Sequence, residues 1–154
     1  MPRILCLDYG ERRSGVAISD ETRTIAQSLA TITHNSETEL CSTISRLIKE
    51  YDVDLIVIGL PLSLSGKPST RSEKVRAFAA RLAKKVHLPV ELFDERLSTN
   101  QAEEVYAEVY GRPYRRYHPH RQAPASPLDR IAATIVLKDY LEFIRRTRTV
   151  PPKL

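Results

Sequence analysis

Leu55-Ile56-Val57-Ile58 is an unbroken, β-branched apolar run, bounded by Asp54 on one side and Gly59-Leu60-Pro61 on the other. A short strand that is apolar at every position has no face to give to water, so the run predicts a central, buried, parallel strand. The rest of the chain must then supply layers to cover it. Arg3–Asp8 predicts another buried strand, apolar on both faces until the acid. Ser14–Ser19, with Val16 and Ile18, predicts the next, joined through the turn Tyr9-Gly10-Glu11-Arg12-Arg13. Ile25–Ile32 predicts a third, completing an antiparallel meander.

Beyond the meander the apolar period lengthens. Leu40, Ile44, Leu47, Ile48 and Tyr51 recur at helical spacing after a polar start near Ser36. After the central strand and a turn-rich loop over Ser63–Ser69, Val75, Phe78, Ala79, Leu82 and Val86 mark one face of an amphipathic helix. Its other face holds Arg71, Lys74, Arg81, Lys84 and Lys85. Pro89–Glu95 predicts the last strand. Ser98–Gln101 forms a capping-box start for a helix to about Tyr110, and Ser126-Pro127 starts a final helix to about Arg146. This order predicts an α/β fold: a mixed five-stranded sheet flanked by helices, one domain over residues 1–146 with a flexible tail over residues 147–154.

At 154 residues the chain is long enough for one good core, and 42% apolar content suits a globular protein. Its apolar stretches are too short to cross a bilayer, and no secretory signal is visible, so a cytoplasmic location without membrane association is expected. Cys6 and Cys41 are too few for a disulfide scaffold and read as apolar fillers.

The net charge of +5 is unevenly spread. Between Gly111 and Leu128 stand Arg112, Arg115, Arg116 and Arg121, two histidines and no acid, interleaved with Tyr114 and Tyr117. Cations among aromatic rings suit a phosphate backbone with bases stacking nearby; a solvated loop is the plain alternative. His118 and His120 read as ordinary loop histidines rather than proton shuttles.

Three acidic positions stand where elements begin or end: Asp8, the pair Asp94-Glu95, and Asp129. Ligands bind at the carboxyl ends of parallel strands, and carboxylates converging there suit Mg²⁺ or Mn²⁺. Two such ions together activate a water and stabilise the leaving oxygen of a phosphodiester. Each acid also has a structural role open to it. Asp8 suits the turn that follows, Asp129 the positive end of a helix, and Asp94-Glu95 an ion pair with Arg96. Neighbours on a strand face opposite sides, so Asp94 and Glu95 cannot both join Asp8 without a bulge. The residues alone leave that choice open.

Four segments together resemble a known family. Leu7-Asp8-Tyr9-Gly10-Glu11-Arg12-Arg13-Ser14-Gly15-Val16-Ala17-Ile18-Ser19-Asp20 is similar to the first motif of the YqgF-type proteins. Gly59-Leu60-Pro61-Leu62, Phe93-Asp94-Glu95-Arg96-Leu97-Ser98-Thr99 and Leu128-Asp129-Arg130-Ile131-Ala132-Ala133 resemble the second, third and fourth, in order. Members are RNase H-like proteins described as pre-16S rRNA nucleases and, earlier, as Holliday junction resolvases. The resemblance implies an RNase H-like fold and Asp8, Glu95 and Asp129 as the acidic, metal-holding catalytic set. It also implies a substrate groove shaped by the Gly10–Arg13 turn and the Gly59–Leu62 loop, where Arg12 or Arg13 meets a phosphate. The chain departs from the family pattern at Glu11, where a small or hydroxyl residue is usual, and in the long segment before Asp129.

The expected activity is therefore metal-dependent cleavage of nucleic acid, precursor rRNA ahead of branched DNA, by a monomer or weak homodimer. A resolvase acting on four-way junctions and a non-catalytic nucleic-acid-binding factor are the competing readings.

Overall fold

The computed structural model describes residues 2–61, 69–94 and 127–149, with side chains of the final helix described over 131–145. The strands are β1 (Arg3–Asp8), β2 (Arg13–Ser19), β3 (Ala26–Thr33), β4 (Val53–Leu60) and β5 (Val90–Asp94). The helices are α1 (Glu37–Tyr51), α2 (Thr70–Val86) and α3 (Pro127–Thr149). They build a five-stranded sheet of order β3-β2-β1-β4-β5, antiparallel across β1–β2–β3 and parallel across β1–β4–β5. The mixed sheet expected from the sequence is the one observed.

Burial explains the order. Ile4, Leu5, Cys6 and Leu7 of β1, and Ile56, Val57 and Ile58 of β4, are fully buried, so these two strands take the sheet's centre. Alternation divides their side chains between two cores. Leu5, Leu7, Ile56 and Ile58 pack with Leu40 and Ile44 of α1 and with Val75, Phe78 and Leu82 of α2. Ile4, Cys6, Val57 and Phe93 pack with Ala133, Val136, Leu137, Tyr140 and Leu141 of α3. Both cysteines are buried and free, as fillers should be.

Caps set the helix limits. The Ser36 side chain accepts from the Glu39 N–H at 3.1 Å, and Asp52 ends α1 in the left-handed conformation. Ser69 and Ser72 cap α2 reciprocally, so that helix begins earlier than its apolar face suggests. The meander's third strand starts at Ala26, because Asp20 accepts from the N–H groups of Thr24 and Ile25 and draws those residues into the turn. These bonds hold the Asp20 carboxyl at about 2. α3 runs to Thr149, three residues beyond the expected end at Arg146, taking the first part of the expected tail into the helix. The helix expected over Ser98–Tyr110 and the basic segment that follows lie outside the described residues.

Asp139 of α3 is 9% exposed, and its Oδ2 has no hydrogen-bond partner among the described residues. Burial, with Glu142 adding to it, pushes this carboxyl up from 3.8 to about 6. The folded state therefore favours the protonated form, and stability from this residue is lost as pH rises from about 4 through 6. Asp139→Asn should stabilise the protein at pH 7.5 by on the order of 1–3 kcal/mol, with the gain vanishing toward pH 4. Denaturant unfolding of the two proteins across this range checks it; a gain independent of pH would contradict the assignment. Buried His34 shifts stability the other way below its usual 6.5, equally in both proteins.

Candidate active site

Asp8 ends β1 half-buried, with the parity of Ile4 and Cys6, so strand alternation directs it to the α3 side of the sheet. Across the antiparallel pair it lies opposite Gly15, which lies opposite Thr31.

Asp94 is directed elsewhere. It pairs with Leu60, a member of the α1–α2 core, whereas Phe93 belongs to the α3 core. Alternation thus removes Asp94 from Asp8's face of the sheet. Glu95 lies outside the described residues, as do Arg112, Arg115, Arg116 and Arg121.

The direction of α3 follows from its far end. Leu141, Glu142 and Arg145 line a cavity with Thr22, Arg23 and Thr24 of the β2–β3 turn. That turn lies at the Arg3 end of β1, because Leu5 pairs with Ile18 and Asp8 with Gly15. From Asp129 to Leu141 the helix rises about 18 Å, close to the roughly 17 Å that β1 spans from Arg3 to Asp8. The first turn of α3, with Asp129 third in the helix, therefore lies toward the Asp8 end. The backbone brings Asp8 and the start of α3 to one face and one end of the sheet.

The turn after Asp8 is held by a buried polar network. The Gly10 N–H donates to Ser14 Oγ at 3.2 Å, and Ser14 Oγ donates to the Gly10 carbonyl at 3.3 Å. Ser14 Oγ also lies 3.0 Å from His34 Nε2, and the His34 N–H donates to the Arg12 carbonyl at 2.9 Å. With the serine proton on Gly10, Nε2 is the donor and Nδ1 a bare acceptor, and Nδ1 indeed has no partner among the described residues. Burial lowers the pKa of His34, which keeps the ring neutral. Sequence patterning gives no sign of this residue, because a lone histidine after a strand has no periodicity to read.

Arg12 is exposed, and Arg13 opens β2 half-buried. Glu11 is ion-paired with Lys74 of α2, and this contact lowers the Glu11 pKa and raises that of Lys74. Tyr9 stacks on Phe78 with ring centroids 4.1 Å apart.

The family model for "RuvX: Holliday junction resolvase" matches residues 2–143. The chain belongs to the RuvX family. It is 40% identical over 146 residues to a Syntrophus aciditrophicus protein named "Putative pre-16S rRNA nuclease", covering 95% of this chain and 92% of that protein. A Caldanaerobacter subterraneus protein of the same name is 38% identical over 140 residues, covering 91% and 96%. Among solved structures, T. thermophilus RuvC in complex with a Holliday junction substrate superposes with a TM-score of 0.61 at 13% identity, covering 97% of this chain and 98% of that one. The fowlpox virus resolvase bound to Holliday junction DNA gives 0.52 at 18%, covering 92% and 98%. These likenesses identify the fold of this RuvX-family chain as RNase H-like. Among the described residues no helix is long and apolar enough to cross a membrane.

A methyl group at Gly10 would lie 2.2 Å from the Arg13 carbonyl oxygen, so the turn must open to admit one. Gly10→Ala should destabilise the fold by about 2–4 kcal/mol in denaturant unfolding. A loss below about 0.5 kcal/mol would show that the turn does not need its close approach.

Proposed function

We propose that this chain is a divalent-metal-dependent endonuclease that processes the precursor of 16S rRNA, with Asp8, Glu95 and Asp129 as its acidic set. The carrying observation is that Asp8 closes a central strand whose inner residues are fully buried, on the α3 face, at the end where α3 begins, with Asp129 third in that helix. Membership of the RuvX family gives this arrangement its chemistry, and the names of relatives near 40% identity favour precursor rRNA over junction DNA. Glu95 is preferred to Asp94 because Asp94 belongs to the opposite face of the sheet.

The donor set suits the metal. All three groups are carboxylates, and hard Mg²⁺ or Mn²⁺ takes oxygen ligands. When bound, such an ion supplies Lewis acidity and lowers the pKa of water beside the phosphate. The protein's own part is positional. A buried strand fixes the Asp8 backbone, and the Gly10–Ser14–His34 network fixes the turn that leaves it. Arg12 and the four arginines Arg112, Arg115, Arg116 and Arg121 are the proposed phosphate contacts, with Arg13 a lesser candidate because it is half-buried. The proposed setting is the cytoplasm, where precursor rRNA is made.

A second reading, cleavage of four-way DNA junctions, has the description of the matching family model in its favour. Paired cuts would call for a symmetric dimer, whereas rRNA trimming needs one site.

Asp8→Asn should lower cleavage of a precursor rRNA fragment at least about 100-fold in Mg²⁺ or Mn²⁺, with unfolding and RNA affinity near wild type. Chelation should abolish wild-type cleavage and either ion restore it. Undiminished cleavage by the variant, after removal of contaminating nuclease, would refute the acidic site. Faster cleavage of a synthetic junction than of rRNA by a dimer would favour the second reading.

A further inference from the structure

On the other side of the turn from Asp8 lies a cleft of about 450 Å³. Tyr9, Gly10 and Glu11 form one wall, and Arg71, Lys74 and Val75 of α2 form the other. Tyr9 is fixed by its stack on Phe78, so the apolar part of the lining is rigid. Its charged part holds two cations against one carboxylate. The solvent face of α2 continues this charge: Lys74, Arg81 and Lys85, the latter two seven and eleven residues after the first, share one flank of the helix, and all are exposed. Arg81 is held by Glu37 at 2.8 Å and Lys74 by Glu11. The Lys74 and Glu11 side chains are 57% and 67% exposed, so water and salt weaken their attraction and the pair opens readily.

A basic cleft with a rigid apolar wall, starting at the residue after Asp8, matches the chemistry of a phosphodiester with its sugar and base. We propose that it binds one strand of the substrate nucleic acid flanking the cleavage point, with Arg71 and Lys74 on a phosphate and the Tyr9 ring against the adjoining nucleoside. Glu11 acts as a gate: its carboxylate occupies Lys74 in the free protein and must be displaced by the incoming phosphate. The proposal rests on the nuclease reading above and gives Glu11, the position that departs from the family pattern, a role in setting affinity.

Fluorescence anisotropy of labelled single-stranded RNA, and DNA of the same sequence, tests this across a KCl series with the full-length protein. The Arg71→Ala/Lys74→Ala double variant should bind at least about tenfold more weakly near 100 mM salt. Its log–log salt slope should fall by about 0.7 for each phosphate that the variant no longer neutralises. Glu11→Gln should bind roughly two- to fivefold more tightly, and that gain should disappear when Lys74 is already alanine. Arg76→Ala, an exposed cation on the opposite flank of α2, should stay within about twofold of wild type. If the wild type binds and cleaves while the double variant matches it in affinity and slope, the cleft assignment is wrong and the nuclease reading stands. If Glu11→Gln tightens binding equally without Lys74, the gate is wrong. A wild type that neither binds nor cleaves either polymer overturns the cleft and the nuclease reading together.

Discussion

The burial of β1 on both faces is the constraint from which the architecture follows. Its four inner residues, Ile4 to Leu7, are wholly removed from water, alternately toward α3 and toward α1 and α2. A strand in that position needs a hydrogen-bonding neighbour on each side and a helical layer on each face. β2 and β4 supply the neighbours, one antiparallel through a tight turn and one parallel through the α1 crossover. Asp8 is the first polar residue after this run, so it emerges where the two layers part. A carboxylate anchored by four fully buried residues has little freedom in its backbone, which suits the metal-holding role proposed for it.

The turn that follows converts this rigidity into shape. Gly10 approaches the Arg13 carbonyl too closely for any side chain, and Ser14 ties both polar groups of Gly10. His34 joins this pair from the junction of β3 and α1, so the turn is braced by an element some twenty residues away in sequence. The brace works only with a neutral ring, because a second N–H on Nδ1 would be buried without an acceptor among the described residues. The turn that follows Asp8 is thus tied to the end of the meander's last strand.

Much of this is legible in the residues, for identifiable reasons. The continuous run at Leu55–Ile58, the alternation of β2 and the helical spacing of α1 and α2 each express burial directly, and burial is what periodicity reports. β3 starts one residue later than its apolar pattern suggests because Asp20 binds the Ile25 N–H through its side chain, a local bond that competes with the sheet. The extension of α3 past Arg146 is equally invisible in a polar stretch with no apolar face to count. For the site, single acids beside turns are ambiguous, and the proposed acidic set rests on the four ordered motifs. Strand parity then adds what spacing cannot, taking Asp94 to the far face. Long-range polar contacts, His34 to Ser14 and Glu11 to Lys74, have no one-dimensional signature.

The two faces of the sheet end are bordered by different helices. α3 presents its beginning to the Asp8 end, so the positive end of that helix lies on the Asp8 side of the sheet. α2 presents an outer face rich in Arg and Lys, and its first turns border the same β1–β2 turn from the other side. In the proposed function, acids that hold cations and cations that hold phosphates would attract one another, so each set must be kept from neutralising the other. The sheet end and the rigid Tyr9–Gly10 turn stand between them. Glu11 is the one carboxylate of the first motif on the basic side, and its capture of Lys74 shows what happens to an acid placed there. An exposed pair of this kind is cheap to open.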